Sequence, residues 1–198
     1  KPQAEVIEKY RGMTLPVDEG LGQLRRTLEE LGETENTFLF FFSDNGGAKE
    51  FPSSSPRYRG NKGTVYEGGH RVPAIAAWPS QIQQGQVSDQ TLFSLDLMPT
   101  MLALAGVEHE SLALDGIDLS HHLLKGHPLE PRPLFWASLG NQGNRSEAIR
   151  EGPWKLIVLH PNASPGTFEN ETVELYHLVD DPGEENNLAT TYPKRASA

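Results

Sequence analysis

Thr37-Phe-Leu-Phe-Phe-Phe-Ser43, running straight into Asp44-Asn-Gly-Gly47, is the stretch on which the reading of the fold turns. An apolar run without alternation is expected of a strand covered on both faces in a largely parallel sheet. Just upstream, Val17, Leu21, Leu24, Leu28 and Leu31 fall at steps of four, three, four and three, so they share one face of a helix. Pro16 suits the first turn of that helix and Gly32 its C-terminal stop. A helix feeding a buried strand predicts an α/β fold. Asp44 and Asn45 then sit at the carboxyl end of the strand, where open α/β sheets place their ligands.

Downstream, residues 48 to 66 are rich in Pro, Ser, Gly and Arg without a sustained period, and read as one long functional surface loop. Val72 to Trp78 offers a second short core strand, although Pro73 argues against it. Thr91 to Gly106 reads as a helix starting near Asp96 and Pro99, with Leu95, Met98, Leu102 and Ala105 on its buried face, and Leu119 to Leu124 as a short helix. Beyond Pro133 come brief β-like pieces, Leu134 to Ser138, Glu147 to Arg150, Trp154 to Leu159 and Glu174 to Leu178. The Glu151-Gly152-Pro153 break makes two of them a hairpin. The expected division is an α/β core over 1–132 and a small antiparallel β subdomain over 133–198, with a polar turn from Asp180 to Asn187 and a frayed last ten residues.

Composition removes several function classes. The 198 residues hold 27 acidic against 17 basic side chains, a net charge of -10. Nucleic acid is therefore not an expected partner, because neutralising phosphates needs a basic face. No apolar run exceeds about five residues, whereas a membrane-spanning helix needs roughly twenty, so the chain reads as soluble and without a membrane span. It opens Lys1-Pro2-Gln3, with neither an initiator Met nor a leader, so any targeting segment is expected to lie outside it. With no cysteine there is no disulfide, thiolate metal site or cysteine nucleophile.

Charge is uneven. Residues 49 to 71 hold Lys49, Arg57, Arg59, Lys62 and Arg71 against Glu50 and Glu67, in a chain that is otherwise strongly acidic. This local excess beside Asp44 and Asn45 suits an anion site; the alternative is a solvated loop whose cations pair with neighbouring carboxylates. A carboxylate and an amide carbonyl are hard oxygen donors suited to Ca²⁺ or Mg²⁺, but Ca²⁺ takes six or more oxygens, so most of the coordination must come from elsewhere.

Taken in order, the segments resemble a known family. Phe41-Phe-Ser-Asp-Asn-Gly-Gly47, Arg59-Gly-Asn-Lys-Gly-Thr-Val-Tyr-Glu-Gly-Gly-His-Arg-Val-Pro73, Ser94-Leu-Asp-Leu-Met-Pro-Thr100 with Leu104-Ala-Gly106, and Leu114-Asp-Gly-Ile-Asp-Leu119 are similar to ordered motifs of type I sulfatases. The likeness continues through Ala148-Ile-Arg-Glu-Gly-Pro-Trp-Lys-Leu156, Leu175-Tyr-His-Leu178, Asp181-Pro-Gly-Glu184 and Asn187-Leu-Ala189. The resemblance implies an alkaline-phosphatase-like α/β fold and a chain that is only the C-terminal part of a sulfate ester hydrolase. It implies that Asp44 and Asn45 are ligands of an active-site divalent cation, usually Ca²⁺, and that Lys62 contacts the sulfate group. It further implies a formylglycine nucleophile made from the Cys or Ser of a C/S-x-P-S/A-x-R segment, carried by the N-terminal part of the enzyme that this chain lacks. Ser54-Ser55-Pro56 does not meet that pattern, because Tyr58 stands where Arg is required, and Asn61 stands where Gly more often precedes the lysine. The implied substrates are sulfate esters, sulfated carbohydrates among them, and the implied setting is exported: periplasmic, extracellular or lysosomal. Two rivals are a phosphate or phosphonate ester hydrolase of the same superfamily and a non-catalytic fragment that binds sulfated glycans.

Other candidates have simpler readings. His70 lies near the expected cleft and is held as a possible substrate contact. His121 and His122, with Asp118, point apart on a short helix and read as surface residues. Trp78, Trp136 and Trp154 adjoin apolar stretches and read as core. The sequons at Asn144, Asn162 and Asn170 matter only in a eukaryotic secretory setting.

Overall fold

The computed structural model describes residues 3–49, 57–108, 111–139, 144–161 and 171–197. Ser54-Ser55-Pro56 and the sequons at Asn162 and Asn170 lie outside the described residues. Among the described residues the helices and strands are, in chain order, α1 (Gln3–Glu30), β1 (Leu39–Phe42), α2 (Glu67–His70), β2 (Ala74–Ala77), α3 (Leu97–Leu104), α4 (Ser120–Lys125), β3 (Pro133–Leu139), β4 (Arg145–Glu151), β5 (Trp154–His160), β6 (Thr172–His177) and α5 (Pro193–Ala196). No helix among the described residues is long and apolar enough to cross a membrane.

Helix α1 starts thirteen residues before the expected proline start, and Pro16 lies inside it. Nothing between Ala4 and Thr14 stops a helix, and the pairs Glu5–Lys9 at 2.8 Å and Glu8–Arg11 at 2.9 Å support its first turns. Pro16 deprives the carbonyl of Gly12 of its helical donor, but that position is exposed and water can serve. The apolar stripe has the expected spacing but not the expected burial. Leu21 and Leu28 are half-buried, whereas Val17, Leu24 and Leu31 are 54%, 46% and 68% exposed.

The strand expected to be covered on both faces is not. Among the described residues β1 pairs only with β2, in a two-stranded sheet. Phe41 and Phe42 are exposed while Leu39 and Phe40 are half-buried. Two strands present too little surface to form a layered core. β2 does form, beginning immediately after Pro73, where the ring cannot interrupt the ladder.

The chain divides into two compact units, one drawn from Lys1–Glu19, Phe42–Pro73 and Pro131–Ala198, the other from Gly20–Phe41 and Ala74–Glu130. In the second, α3 is preceded by a 3-10 turn at Ser94–Asp96. The face of α3 expected to be buried is not: Leu95 and Met98 are exposed, and Asp96, Pro99 and Thr100 are buried instead. Their polar groups explain the swap. The Asp96 carboxylate accepts from the N–H groups of Phe93 (2.8 Å) and Ile117 (3.0 Å), and the Thr100 hydroxyl accepts from Leu119 N–H (2.9 Å), which binds the 114–119 segment to the helix. Helix α4 forms as expected, its start held by the Asp118 carboxylate on Ser120 and its end by Gly126 in the left-handed region.

In the first unit, β3 to β6 form an antiparallel sheet in the order β3-β4-β5-β6. The turn between β4 and β5 is the expected hairpin, with Glu151 opposite Trp154 and Gly152 at φ 57°. Val65, Ala148, Ile157, Tyr176 and Leu178 are buried together, with Tyr66, Trp136 and Leu159 packed against them. Val65 and Tyr66, inside the stretch expected to be surface loop, therefore join the core of this sheet. The C-terminal tail is ordered rather than frayed: Tyr192 packs edge-on against Trp154, and Arg195 lies 4.7 Å over the Trp154 ring.

Candidate active site

Asp44 and Asn45 follow β1 on a turn that is tied from both sides. The Asn45 amide donates to Asp44 Oδ1 at 2.8 Å, and the Ser43 hydroxyl donates to the Asn45 carbonyl at 2.9 Å. Gly46 N–H then donates to the Gly69 carbonyl at 2.9 Å, and Lys62 N–H to the Gly47 carbonyl at 2.9 Å. Gly46 is required by a close approach: a Cβ there would fall 1.9 Å from the Gly68 carbonyl oxygen. Three sequence segments, 43–47, 59–64 and 67–70, are thus joined by main-chain bonds. Asp44 and Lys62 are exposed on the result and Asn45 is half-buried. Asp44 and Asn45 present one carboxylate and one amide, the hard-donor chemistry that suits Ca²⁺ or Mg²⁺. No group of three or more acidic, histidine or cysteine side chains is arranged to hold a metal among the described residues. The pair fits part of a coordination sphere and not a whole one.

Behind the turn lies a buried charge cluster that spacing along the sequence does not reveal. Glu67, Lys155 and Glu184 are each 0% exposed. The Lys155 ammonium is 2.9 Å from Glu67 Oε1 and 2.9 Å from Glu184 Oε1. Glu184 Oε2 accepts the Glu67 backbone N–H at 2.7 Å. Arg71 and Arg150 approach Glu67 Oε2 at 3.2 and 3.7 Å. Burial pushes Glu67 toward protonation, but Lys155, with His70 and Arg150, holds it below the usual carboxylate range. Burial dominates at Glu184 and raises it, against the pull of Lys155 and the Glu67 N–H. One signal was available in the sequence: Lys155 shares strand parity with Ile157 and Leu159, and a lysine at a core-facing strand position needs a buried partner.

His70 faces this cluster. Its ring stacks on Trp136 at 4.3 Å, and its Nε2 lies 3.1 Å from the Val65 carbonyl and 3.2 Å from the Lys155 ammonium. Burial, reinforced by Lys155, pushes its pKa down to about 4, so the ring is neutral at pH 7.

Within the cationic segment, Arg71 and Arg59 face carboxylates, those of Glu67 and Glu174. Arg59 donates to the Tyr176 hydroxyl (2.8 Å) and the Glu184 carbonyl (3.0 Å), approaches Glu174 at 3.5 Å and lies 4.0 Å over the Tyr66 ring. Tyr66 and Tyr176 both donate to Glu174 Oε2 at 2.9 Å. Burial and that carboxylate push Tyr176 up to about 12 and raise Tyr66 as well. Elsewhere, His122 is half-buried and contacts Ser88 and the His127 carbonyl. Trp78 is half-buried and donates to the Glu35 carbonyl.

The architecture is of the alkaline-phosphatase-like α/β class. The chain belongs to the sulfatase family: the Sulfatase family model matches residues 1–107, and the model described as N-sulphoglucosamine sulphohydrolase, C-terminal, matches residues 60–196. It is 37% identical over 211 residues to N-acetylgalactosamine-6-sulfatase of Rattus norvegicus, covering 92% of this chain and 39% of that protein. Among solved structures, the protein i-CgsB in complex with k-i-k-neocarrahexaose superposes with a TM-score of 0.83 at 27% identity, over 97% of this chain and 41% of that one. A second, solved with its substrate D-glucosamine-2-N,6-O-disulfate, gives 0.76 at 28% identity over 93% and 36%. The chain spans about two fifths of the length of the curated relatives it matches.

Proposed function

We propose that this chain is the C-terminal part of an enzyme that hydrolyses sulfate esters of carbohydrates. Support for the substrate class comes from relatives named for a sulfated amino sugar or solved with one. In this reading Asp44 and Asn45 supply two oxygen ligands to a divalent cation, Ca²⁺ or alternatively Mg²⁺. When bound, that cation stabilises negative charge on the non-bridging sulfate oxygens. The formylglycine nucleophile and the remaining ligands belong to the part of the enzyme outside this chain. An exported setting, periplasmic, extracellular or lysosomal, goes with the family resemblance.

The chain's own residues bind and orient. The Asn45 amide holds the Asp44 carboxylate through its Nδ2 hydrogen bond, so the two donors are fixed relative to each other. Lys62 presents a compact ammonium to the sulfate group, where charge develops as the ester bond breaks. His70 offers substrate only the part of its ring that Trp136 and Val65 leave uncovered. The observation that carries the reading is the pair of main-chain bonds, Lys62 to Gly47 and Gly46 to Gly69, which join the two motif segments bearing the proposed ligands and the lysine.

The test uses steady-state kinetics of the complete enzyme over a Ca²⁺ series. Asp44→Ala lowers metal affinity and activity together, with partial recovery at high Ca²⁺ by mass action. Lys62→Ala leaves metal affinity intact and lowers kcat/KM by about a hundredfold, the scale of one lost transition-state contact, and Lys62→Arg does not fully restore it. Wild-type kcat/KM for Lys62→Ala at every Ca²⁺ concentration removes the lysine from the site. The 198-residue chain alone releases no nitrophenol from nitrophenyl sulfate; metal-dependent release by the purified chain overturns the assignment of the nucleophile elsewhere.

A further inference from the structure

Between the exposed turn and the antiparallel sheet runs an unbroken line of contacts. Glu67 opens α2, and both its main chain and its side chain are held from the sheet side: its N–H by Glu184 Oε2 at 2.7 Å and its carboxylate by the Lys155 ammonium at 2.9 Å. The next residues touch the proposed site. Gly68 N–H donates to the Arg59 carbonyl at 2.7 Å, and a Cβ at Gly68 would fall 2.6 Å from the Arg59 and Gly60 carbonyls. Gly69 accepts from Gly46. A displacement of α2 is therefore passed by hard contact to segments 44–47 and 59–62 alike.

Glu184 itself carries a mark of this demand. At φ 53° it is the one non-glycine with positive φ among the described residues, a conformation an L residue rarely adopts unless its surroundings require it. A glycine there would relieve the backbone but could not supply the carboxylate that reaches Glu67 and Lys155. Arg59 ties the same residue a second time, donating to the Glu184 carbonyl at 3.0 Å. The 180–187 turn is thus fastened to both ends of the 59–67 segment.

We infer that Lys155 and Glu184, acting through Glu67, are positioning residues for Asp44, Asn45 and Lys62: the buried cluster sets where the site stands on the sheet. The inference rests on the sulfatase reading for the roles of those three residues, but the mechanical coupling does not.

The coupling is tested on the 198-residue chain by native-state amide hydrogen exchange, comparing Gly46 and Lys62 with Leu156 and Ile157 of the central strand β5. Glu184→Ala removes the acceptor of the Glu67 N–H. Exchange at Gly46 and Lys62 is expected to quicken by about tenfold more than at Leu156 and Ile157, the effect of one lost hydrogen bond felt locally. Glu184→Gln keeps an acceptor oxygen but loses the charge that faces Lys155, so it quickens the same two amides selectively and by less than Glu184→Ala. A residue that only stabilises the whole fold would instead change all four amides together, and that result overturns the inference, as does unchanged exchange at Gly46 and Lys62. Should Glu184→Ala not fold, Glu184→Gln decides: selective quickening at Gly46 and Lys62 supports the coupling, and uniform or absent change overturns it. Selective quickening alongside a Lys62→Ala enzyme of wild-type kcat/KM would leave the coupling standing and remove the sulfatase role of the lysine, so the two failures are distinct.

Discussion

Replacing Lys155 by Met removes the ammonium and keeps most of the side-chain volume, which isolates the electrostatic part of the buried cluster. In the folded chain that ammonium is 0% exposed and sits 2.9 Å from a carboxylate oxygen of Glu67 and 2.9 Å from one of Glu184. Its loss leaves two buried carboxylates facing each other, with Arg71 and Arg150 able to compensate only Glu67, at 3.2 and 3.7 Å. Removing one partner of a buried pair costs about 3–5 kcal/mol. With a urea slope of about 2 kcal/mol/M for a domain of this size, the unfolding midpoint falls by roughly 1.5–2.5 M at pH 7. The loss has a sign in pH. In the wild type Glu67 is held below its usual range, so its stabilisation is present above that range and lost as pH falls through the folded pKa. In Lys155→Met both carboxylates are raised, so protonating them relieves the fold, and the gap between variant and wild type narrows as pH falls from 7 toward 4. Glu67→Gln combined with Lys155→Met is less destabilised than the sum of the two single changes. Urea titrations followed by Trp fluorescence supply the numbers. A midpoint shift under about 0.5 M at pH 7, with unchanged slope, would falsify the claim that the cluster is a buried, mutually compensated unit.

Acid sensitivity has a second source in His70, whose folded pKa of about 4 lies below the 6.5 of the free side chain. The unfolded chain binds the extra proton first, so stability is complete above pH 6.5 and falls on acidification toward pH 4, by at most about 1.4 kcal/mol per pH unit; in His70→Gln the pH dependence of the urea midpoint is flatter over that window, and an unchanged curve refutes the assignment. Gly46→Ala drives a methyl into the Gly68 carbonyl and lowers the activity of the complete enzyme by about tenfold or more while the central-strand amides keep their protection; wild-type kcat/KM would show that the turn tolerates displacement. The exposed Val17, Leu24, Leu31, Phe41 and Ile75 make the isolated chain associate with rising concentration, and light scattering that reports a stable monomer at high concentration counts against this.

Most of the regular structure was legible because it is written locally. The β4–β5 hairpin follows from the Glu151-Gly152-Pro153 break between two β-like pieces, and α4 falls where a short helix is expected, over Leu119 to Leu124. The errors have local causes as well. Pro16 predicts a helix start, but the helix-forming residues upstream continue through it. Apolar character predicts Leu95 and Met98 inside, whereas the buried side of α3 is chosen by Asp96 and Thr100, whose partners Ile117 and Leu119 lie about twenty residues away. Periodicity reads how much apolar surface an element offers; it cannot read which polar group must be satisfied by a distant main chain.

The same distinction divides the site. Asp44 and Asn45 stand out in the sequence as hard oxygen donors directly after an apolar strand, and Lys62 through the family resemblance of the segment that carries it. Glu67, Lys155 and Glu184 sit inside three of the segments that carry the family resemblance, but beyond the strand parity of Lys155 each looks like an ordinary charged residue until the fold brings together positions 88 residues apart. Once assembled, they account for one another: Lys155 offsets the two carboxylates, and Glu184 holds both the Glu67 main chain and, through its own carbonyl, Arg59. Exposed residues that lack a structural reason and buried residues that supply one are the two halves of a single arrangement. In the proposed reading the first set touches whatever binds, and the second fixes where that contact is made. Substitutions in the first set should therefore alter binding and turnover without moving the unfolding midpoint, and substitutions in the second should move the midpoint and the turn together.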